Sequence, residues 1–101
     1  MSESLPDLDE VFHARARLGI MTLLAASGET DFSSLKRQLG LTDGNLGAHV
    51  RVLEDGGYIG VAKSFNGRKP RTTLRMTSKG KRAFREYLAK LEAVIKIASA
   101  R

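Results

Sequence analysis

Asn45, Ala48 and Arg51 recur three residues apart within a helical stretch, and their side chains are of the kinds that read base edges. An asparagine offers a paired donor and acceptor to adenine, an alanine methyl contacts the thymine methyl, and an arginine reaches guanine or a phosphate. Further along, Arg68-Lys69-Pro70-Arg71 puts three cations into four positions behind an Asn66-Gly67 turn. Arginine on such a tip suits a minor groove or its flanking phosphates. This is the chemistry of gripping and reading a polyanion. No Ser/His/Asp arrangement, phosphate-binding glycine loop or paired carboxylate appears, so the reading is not that of an enzyme. Cysteine is absent and His13 and His49 are the only histidines. That composition rules out a disulfide framework and a thiolate zinc site, and neither a metal nor a cofactor is expected.

These side chains need a scaffold, and residues 33 to 76 supply one. Ser33 to Leu39 reads as a short helix with Leu35 and Leu39 one turn apart, Gly40-Leu41-Thr42 as a turn, and Asp43 to Asp55 as a second helix. Two helices joined by a glycine-containing turn, the second free to enter a DNA groove, make a helix-turn-helix. A rotation of about 100° per residue groups Leu46, Val50 and Leu53 on one face, which points inward. The opposite arc holds Gly44, Ala48, Arg51 and Asp55, flanked by Asn45 and Gly47. The expected recognition segment is about 42–55, and its contact candidates are Thr42, Asp43, Gly44, Asn45, Gly47, Ala48, His49 and Arg51. Glycine inside a helix costs up to about 1 kcal/mol relative to alanine, so two of them suggest that close approach outweighs local stability. His49 borders the buried and exposed faces; touching a phosphate, donating to a base and packing beside Leu39 are all compatible with that position. Ser34, Lys36 and Arg37 are phosphate-contact candidates, because the helix before the turn crosses the backbone.

Tyr58 to Phe65 has strand character, and Arg71 to Met76 returns after the cationic tip. A wing over about 59–76 follows, with Lys63, Arg68, Lys69 and Arg71 as its DNA candidates; a merely solvated hairpin tip is the bland alternative. Upstream, Leu5 to Phe12 looks like a helix start, Pro6 suiting its first turn. A break is expected near His13-Ala14. Arg15 to Ala26 forms the next helix, with Leu18, Met21, Leu24 and Ala25 inward. Ser27 to Thr30 reads as a loop and Asp31-Phe32 as a strand stub. Thr77 or Ser78 can cap a last helix over about 78–98. There Phe84, Leu88, Leu91, Ile95 and Ala98 alternate by four and three, widened by Tyr87 and Val94, the rhythm of a helix packed along another helix. A chain of this size covers such a stripe with difficulty, and burial against a second copy is worth about 25 cal/mol per Å² of apolar surface. The expected partner is therefore the protein itself, a homodimer joined through Phe84, Tyr87, Leu88, Leu91, Val94 and Ile95, with Leu8, Val11 and Phe12 contributing. Intramolecular packing of the same stripe is the competing reading.

The 101 residues carry a net charge of +6 and a pI near 10.1, with 42% hydrophobic residues. This is one domain, spanning 1–101, with a modest core and no apolar run near the ~20 residues a membrane span requires. A cytoplasmic location without membrane association is the simplest inference. Charge is segregated: Lys63, Arg68, Lys69, Arg71, Arg75, Lys79, Lys81, Arg82 and Arg85 follow one another without an intervening acid, whereas Glu3, Asp7, Asp9 and Glu10 make the first ten residues purely acidic. Such segregation is the footprint of a polyanion binder.

The stretches Arg17 to Leu24, Asp31 to Leu35, Leu41 to His49, Leu53 to Ile59 and Arg71 to Gly80 resemble the winged helix-turn-helix transcriptional regulators of the MarR and ArsR kind, in the family's order and over nearly the whole chain. The resemblance implies a mainly α fold with a small β-hairpin wing and a long C-terminal dimerisation helix. It further implies a homodimer that binds a roughly palindromic double-stranded DNA operator and usually represses transcription. ArsR-type metal sensors use cysteine or histidine clusters; this chain has neither, and any small-molecule effector is left unidentified. A winged-helix protein–protein module and a non-specific architectural DNA-binding protein are the alternatives, the first disfavoured by the cationic wing.

Overall fold

Four threonine or aspartate caps and one β-hairpin organise the chain. The computed structural model describes residues 5–100, so Glu3 of the acidic amino end lies outside the described residues. The chain enters through a short 3-10 turn, Glu10–Phe12, capped by Asp9. Helix α1 follows as Arg15–Ser27, strand β1 as Glu29–Asp31, helices α2 and α3 as Phe32–Leu39 and Asp43–Asp55, strands β2 and β3 as Ile59–Asn66 and Lys69–Met76, and helix α4 as Ser78–Ser99. Side-chain oxygens of Asp31, Thr42 and Thr77 accept from the N–H groups of Ser34, Asn45 and Gly80, so α2, α3 and α4 each start on a satisfied cap. Gly40 ends α2 with φ +65°, a left-handed conformation in which any larger residue would be strained.

The fold is the expected winged helix, four helices with a three-stranded antiparallel sheet in the order β1-β3-β2. The helix break at His13-Ala14 is present. Two local expectations fail at the same place. Local composition makes Ser27 to Thr30 a loop and Asp31-Phe32 a strand, yet Glu29–Asp31 is the strand and Phe32 already begins α2. The reason is non-local: Thr30 pairs with Leu74 and Asp31 with Thr73, and Asp31 then turns the chain by capping the helix. The amino end is helical over three residues only, not from Leu5.

The core lies between the sheet and the helices. Ile20, Met21 and Leu24 come from α1, Leu35 from α2, Leu46, Val50 and Leu53 from α3, and Ile59 and Leu74 from the sheet. Ala25, expected inside, is exposed, and Ile20 takes the inward position instead. Phe12 sits in an aromatic cluster, with ring centroids 4.9 Å from Tyr58, 5.5 Å from Phe84 and 5.7 Å from Tyr87. The heptad rhythm assigns Phe84 and Tyr87, with Phe12, to a dimer seam. They are buried within the protomer instead, because edge-to-face packing across the entry turn uses those side chains internally. The remaining members of that stripe are placed differently: Leu88 and Ile95 are exposed, and Leu91, Val94, Leu8 and Val11 are half-buried.

Helix α4 meets the rest of the protein through its first half. Gly80 lies so close to the Tyr58 carbonyl that a Cβ there has no room, which locks the start of α4 onto the chain leaving α3. At 22 residues the helix is about 33 Å long. Its outer half extends past the body, giving extents of 62 × 26 × 21 Å and a radius of gyration of 15.6 Å, against about 13 Å for a compact chain of this length.

Candidate nucleic-acid interface

Helix α3 is held from three sides, and its free side carries the polar residues. Leu46, Val50 and Leu53 anchor it in the core. The turn before it is closed by the Leu41 N–H donating to the Lys36 carbonyl at 3.1 Å. At the far end Lys79 Nζ donates to the Gly56 carbonyl at 2.7 Å while lying 4.9 Å over the Tyr58 ring. A cation there satisfies a carbonyl of the helix end and complements its negative pole.

The outward surface comprises Thr42, Asp43, Gly44, Asn45, Ala48 and Arg51, all exposed, with Gly47 and His49 half-buried at its edge. Beyond the adjoining residues and the backbone of the helix itself, no atom of the described residues lies within 4 Å of a Cβ built on Gly44 or Gly47. Internal packing therefore does not require either glycine, and the helix bears their cost without return inside the protomer. Asp43 is paired with Lys36 at 3.0 Å, both side chains solvent-facing. An exposed pair of this kind is weak and opens easily. Arg37 donates to the Ser34 hydroxyl at 3.2 Å, which aligns the exposed face of α2 beside the turn.

His49 is not free to choose among its expected partners. The Arg17 guanidinium, which can only donate, reaches its Nδ1 at 3.1 Å. That leaves Nε2 to carry the ring hydrogen of the neutral form. Arg17 also donates through Nε to the Val11 carbonyl at 2.7 Å, so one side chain of α1 ties together the entry turn and α3. Arg17 is absent from the residues expected at the site: it lies 32 residues from His49, and no local spacing signals the contact.

The hairpin β2–β3 projects beside α3, with Asn66 paired to Lys69 across a Gly67-Arg68 turn. Lys63, Arg68, Lys69 and Arg71 are all exposed. Arg71 differs from the others: its guanidinium lies 3.7 Å from the Asp31 carboxylate. The Ser34 N–H hydrogen bond, then the Ser34 hydroxyl and the nearby Arg71 charge, hold the Asp31 carboxyl below its ordinary range against the opposing effect of burial. A cleft of about 590 Å³ between the wing and the amino ends of α2 and α3 is lined by Ser33, Asp43, Asn66, Lys69 and Arg71 among others. The acid-free run of cations is divided by the fold. Lys63, Arg68 and Lys69 belong to the wing, Lys79 is spent on the α3 terminus, and Arg75, Lys81 and Arg85 border a separate cleft floored by Leu24 and Phe84.

Among the described residues no group of three His, Cys, Asp or Glu side chains gathers at one place, and no helix is long and apolar enough to cross a membrane. Residues 16–95 match the model of a winged helix DNA-binding domain family. An uncharacterized protein from Methanocaldococcus jannaschii is 35% identical over 79 residues, covering 78% of this chain and 86% of that protein. The structure of a transcriptional regulator homologue protein from Pyrococcus horikoshii OT3 superposes with a TM-score of 0.85 at 35% identity, over 91% of each chain. An ArsR family transcriptional regulator shares the fold at a TM-score of 0.58 and 18% identity, over 91% of this chain and 88% of the other.

Proposed function

Because this chain belongs to the winged helix DNA-binding domain family, we propose that it is a sequence-specific regulator of transcription that binds double-stranded DNA as a homodimer in the cytoplasm. One observation carries the reading: α3 turns a capped, polar, partly glycine face outward beside a cationic hairpin. In the complex α3 enters the major groove. Asn45 and Arg51 meet base edges, Ala48 lies against a thymine methyl, and Gly44 and Gly47 let the helix approach. Thr42, Ser34 and Arg37 contact phosphates, and Lys36 joins them once its surface pair with Asp43 opens. His49 presents Nε2–H to the duplex from the orientation Arg17 imposes. Lys63, Arg68 and Lys69 grip the strands alongside, with Arg71 contributing less because Asp31 already engages it.

The homodimer rests on the outer half of α4. Leu88 and Ile95 are exposed on a projecting helix and Val94 is half-buried, while Leu91, with Leu8 and Val11 of the entry segment, packs at the edge of the core and borders the same apolar stripe. A lone apolar helix face in water is unstable, and a second copy supplies the matching surface. Repression is the mode that the MarR and ArsR resemblance suggests, by occupancy of an operator. The whole of residues 1–101 acts as one domain in this reading. Selection of bound sequences from random duplex DNA at two salt concentrations is the test. A palindrome with half-site centres about 10 bp apart supports a symmetric dimer on successive major grooves. Binding without any sequence preference would leave an architectural protein instead.

A further inference from the structure

Phe65 is the most exposed large apolar side chain among the described residues, at 74%. It stands at the end of a hairpin that has every reason to be polar. Alternate residues of a strand share a face, so Ile59, Val61, Lys63 and Phe65 point the same way. Their cross-strand partners are Met76, Leu74, Thr72 and Pro70. At the base of the hairpin this face is the core face: Ile59 and Leu74 are buried, and Val61 and Met76 pack against the core. Towards the tip the helices no longer cover it, and it ends in an exposed Phe65–Pro70 pair. Around that pair stand Lys63, Arg68 and Lys69, and no carboxylate occurs in the sequence between Lys63 and Arg85.

An exposed apolar pair with Lys63 on its own face and Arg68 and Lys69 next to it at the turn fits one partner better than others. The cations exclude a second copy of the same hairpin, which would bring like charges together. They attract phosphates, and phenylalanine and proline are residue types that wedge between base steps from the minor groove. We propose that Phe65, backed by Pro70, is a minor-groove wedge: it inserts at a base step flanking the α3 contact while Lys63, Arg68 and Lys69 hold the phosphates on either side, unstacking that step and bending the duplex toward its major groove. This deepens the DNA-binding reading and rests on it. It also assigns part of the specificity to positions without hydrogen-bonded readout, because flexible pyrimidine–purine steps open at least cost.

The test uses the full chain and the duplex it selects from random sequence, with 2-aminopurine substituted at successive flanking positions. Wild-type protein is expected to raise the fluorescence several-fold at one step per half-site. F65A is expected to lose that rise and roughly tenfold in affinity. Its salt dependence should match the wild type, since every phosphate-binding cation is still in place. R68A should do the reverse, flattening the salt dependence while keeping the rise. F65L, still apolar, should retain most of the signal. A bound duplex with no rise at any step, or a rise that F65A preserves, overturns the wedge and leaves DNA binding standing. A change of oligomeric state in F65A also overturns it, by making Phe65 a protein contact. Failure of the wild type to bind any duplex overturns the DNA-binding reading itself.

Discussion

The Arg17 guanidinium donates to His49 Nδ1 at 3.1 Å and to the Val11 carbonyl at 2.7 Å, so the pose of the outward-facing helix is tied to α1 and the entry turn. Hydrogen bonds from a charged donor are worth about 1.5–3 kcal/mol when shielded, and this pair is part-buried. R17A is expected to cost roughly 1–2 kcal/mol in urea unfolding. It should also weaken DNA binding although Arg17 does not face the groove. R17K, with one donor centre in place of a fork, should recover charge but not both hydrogen bonds. Unchanged affinity in R17A would show that His49 does not need this brace.

Gly44 and Gly47 set stability against approach. Open space surrounds both, so alanine fits and should stabilise α3 by about 0.5–1 kcal/mol at each position. If α3 enters a groove, the same methyl groups stand between helix and bases. G44A and G47A are therefore expected to melt higher and bind the selected duplex more weakly. Higher melting with undiminished affinity would move the DNA-facing surface elsewhere.

The wing cations are not equivalent. R68A and K69A are each expected to reduce the slope of log affinity against log salt by about 0.9 for every phosphate left without its cation. R71A should change it less, because Asp31 sits 3.7 Å from that guanidinium. Slopes measured for the three variants on one duplex decide the matter; a drop in R71A as large as that in R68A would mean that the pair opens on DNA.

Asp31 makes the fold sensitive to acid. Its carboxylate caps α2 through the Ser34 N–H, and that bond, with help from Arg71, depresses its pKa. A depressed carboxyl stabilises fully above its unfolded value of about 3.9, and the contribution disappears as pH falls through the folded pKa. Thermal melts should thus drop below about pH 4 more steeply for the wild type than for D31N. At neutral pH D31A should cost about 1 kcal/mol, the value of a missing cap. Identical acid limbs for wild type and D31N would remove Asp31 from the pH response.

Within α4, neighbouring apolar residues should answer differently to the same change. L88D and L91D are expected to give folded monomers by light scattering at micromolar concentration, whereas Y87D should unfold the protein, because Tyr87 is buried among Phe12 and Phe84 and its phenol meets His13 Nδ1 at 3.0 Å. Burial already raises the Tyr87 phenol pKa, so a charge at that site is costly. Dimers that survive both leucine changes would put the seam elsewhere.

The sequence alone determined what depends on neighbours a few residues apart. Asp43–Asp55, the Gly40 turn before it and the inward trio Leu46, Val50 and Leu53 follow from local turn chemistry and helical period, and each is legible in the residues themselves. Tertiary structure decided which occupant met each apolar face and which charge met each cation. The stripe on α4 reads as one continuous seam, yet Phe12 covers Phe84 and Tyr87, Leu91 packs at the edge of the core, and Leu88 and Ile95 stand exposed. The run of cations reads as one field, yet Lys79 caps α3, Arg71 meets Asp31, Arg75, Lys81 and Arg85 border a separate cleft, and the wing keeps Lys63, Arg68 and Lys69. The strand Glu29–Asp31 exists because β3 arrives beside it. A periodicity specifies that a face must be buried; only contacts between residues distant in the chain specify what buries it.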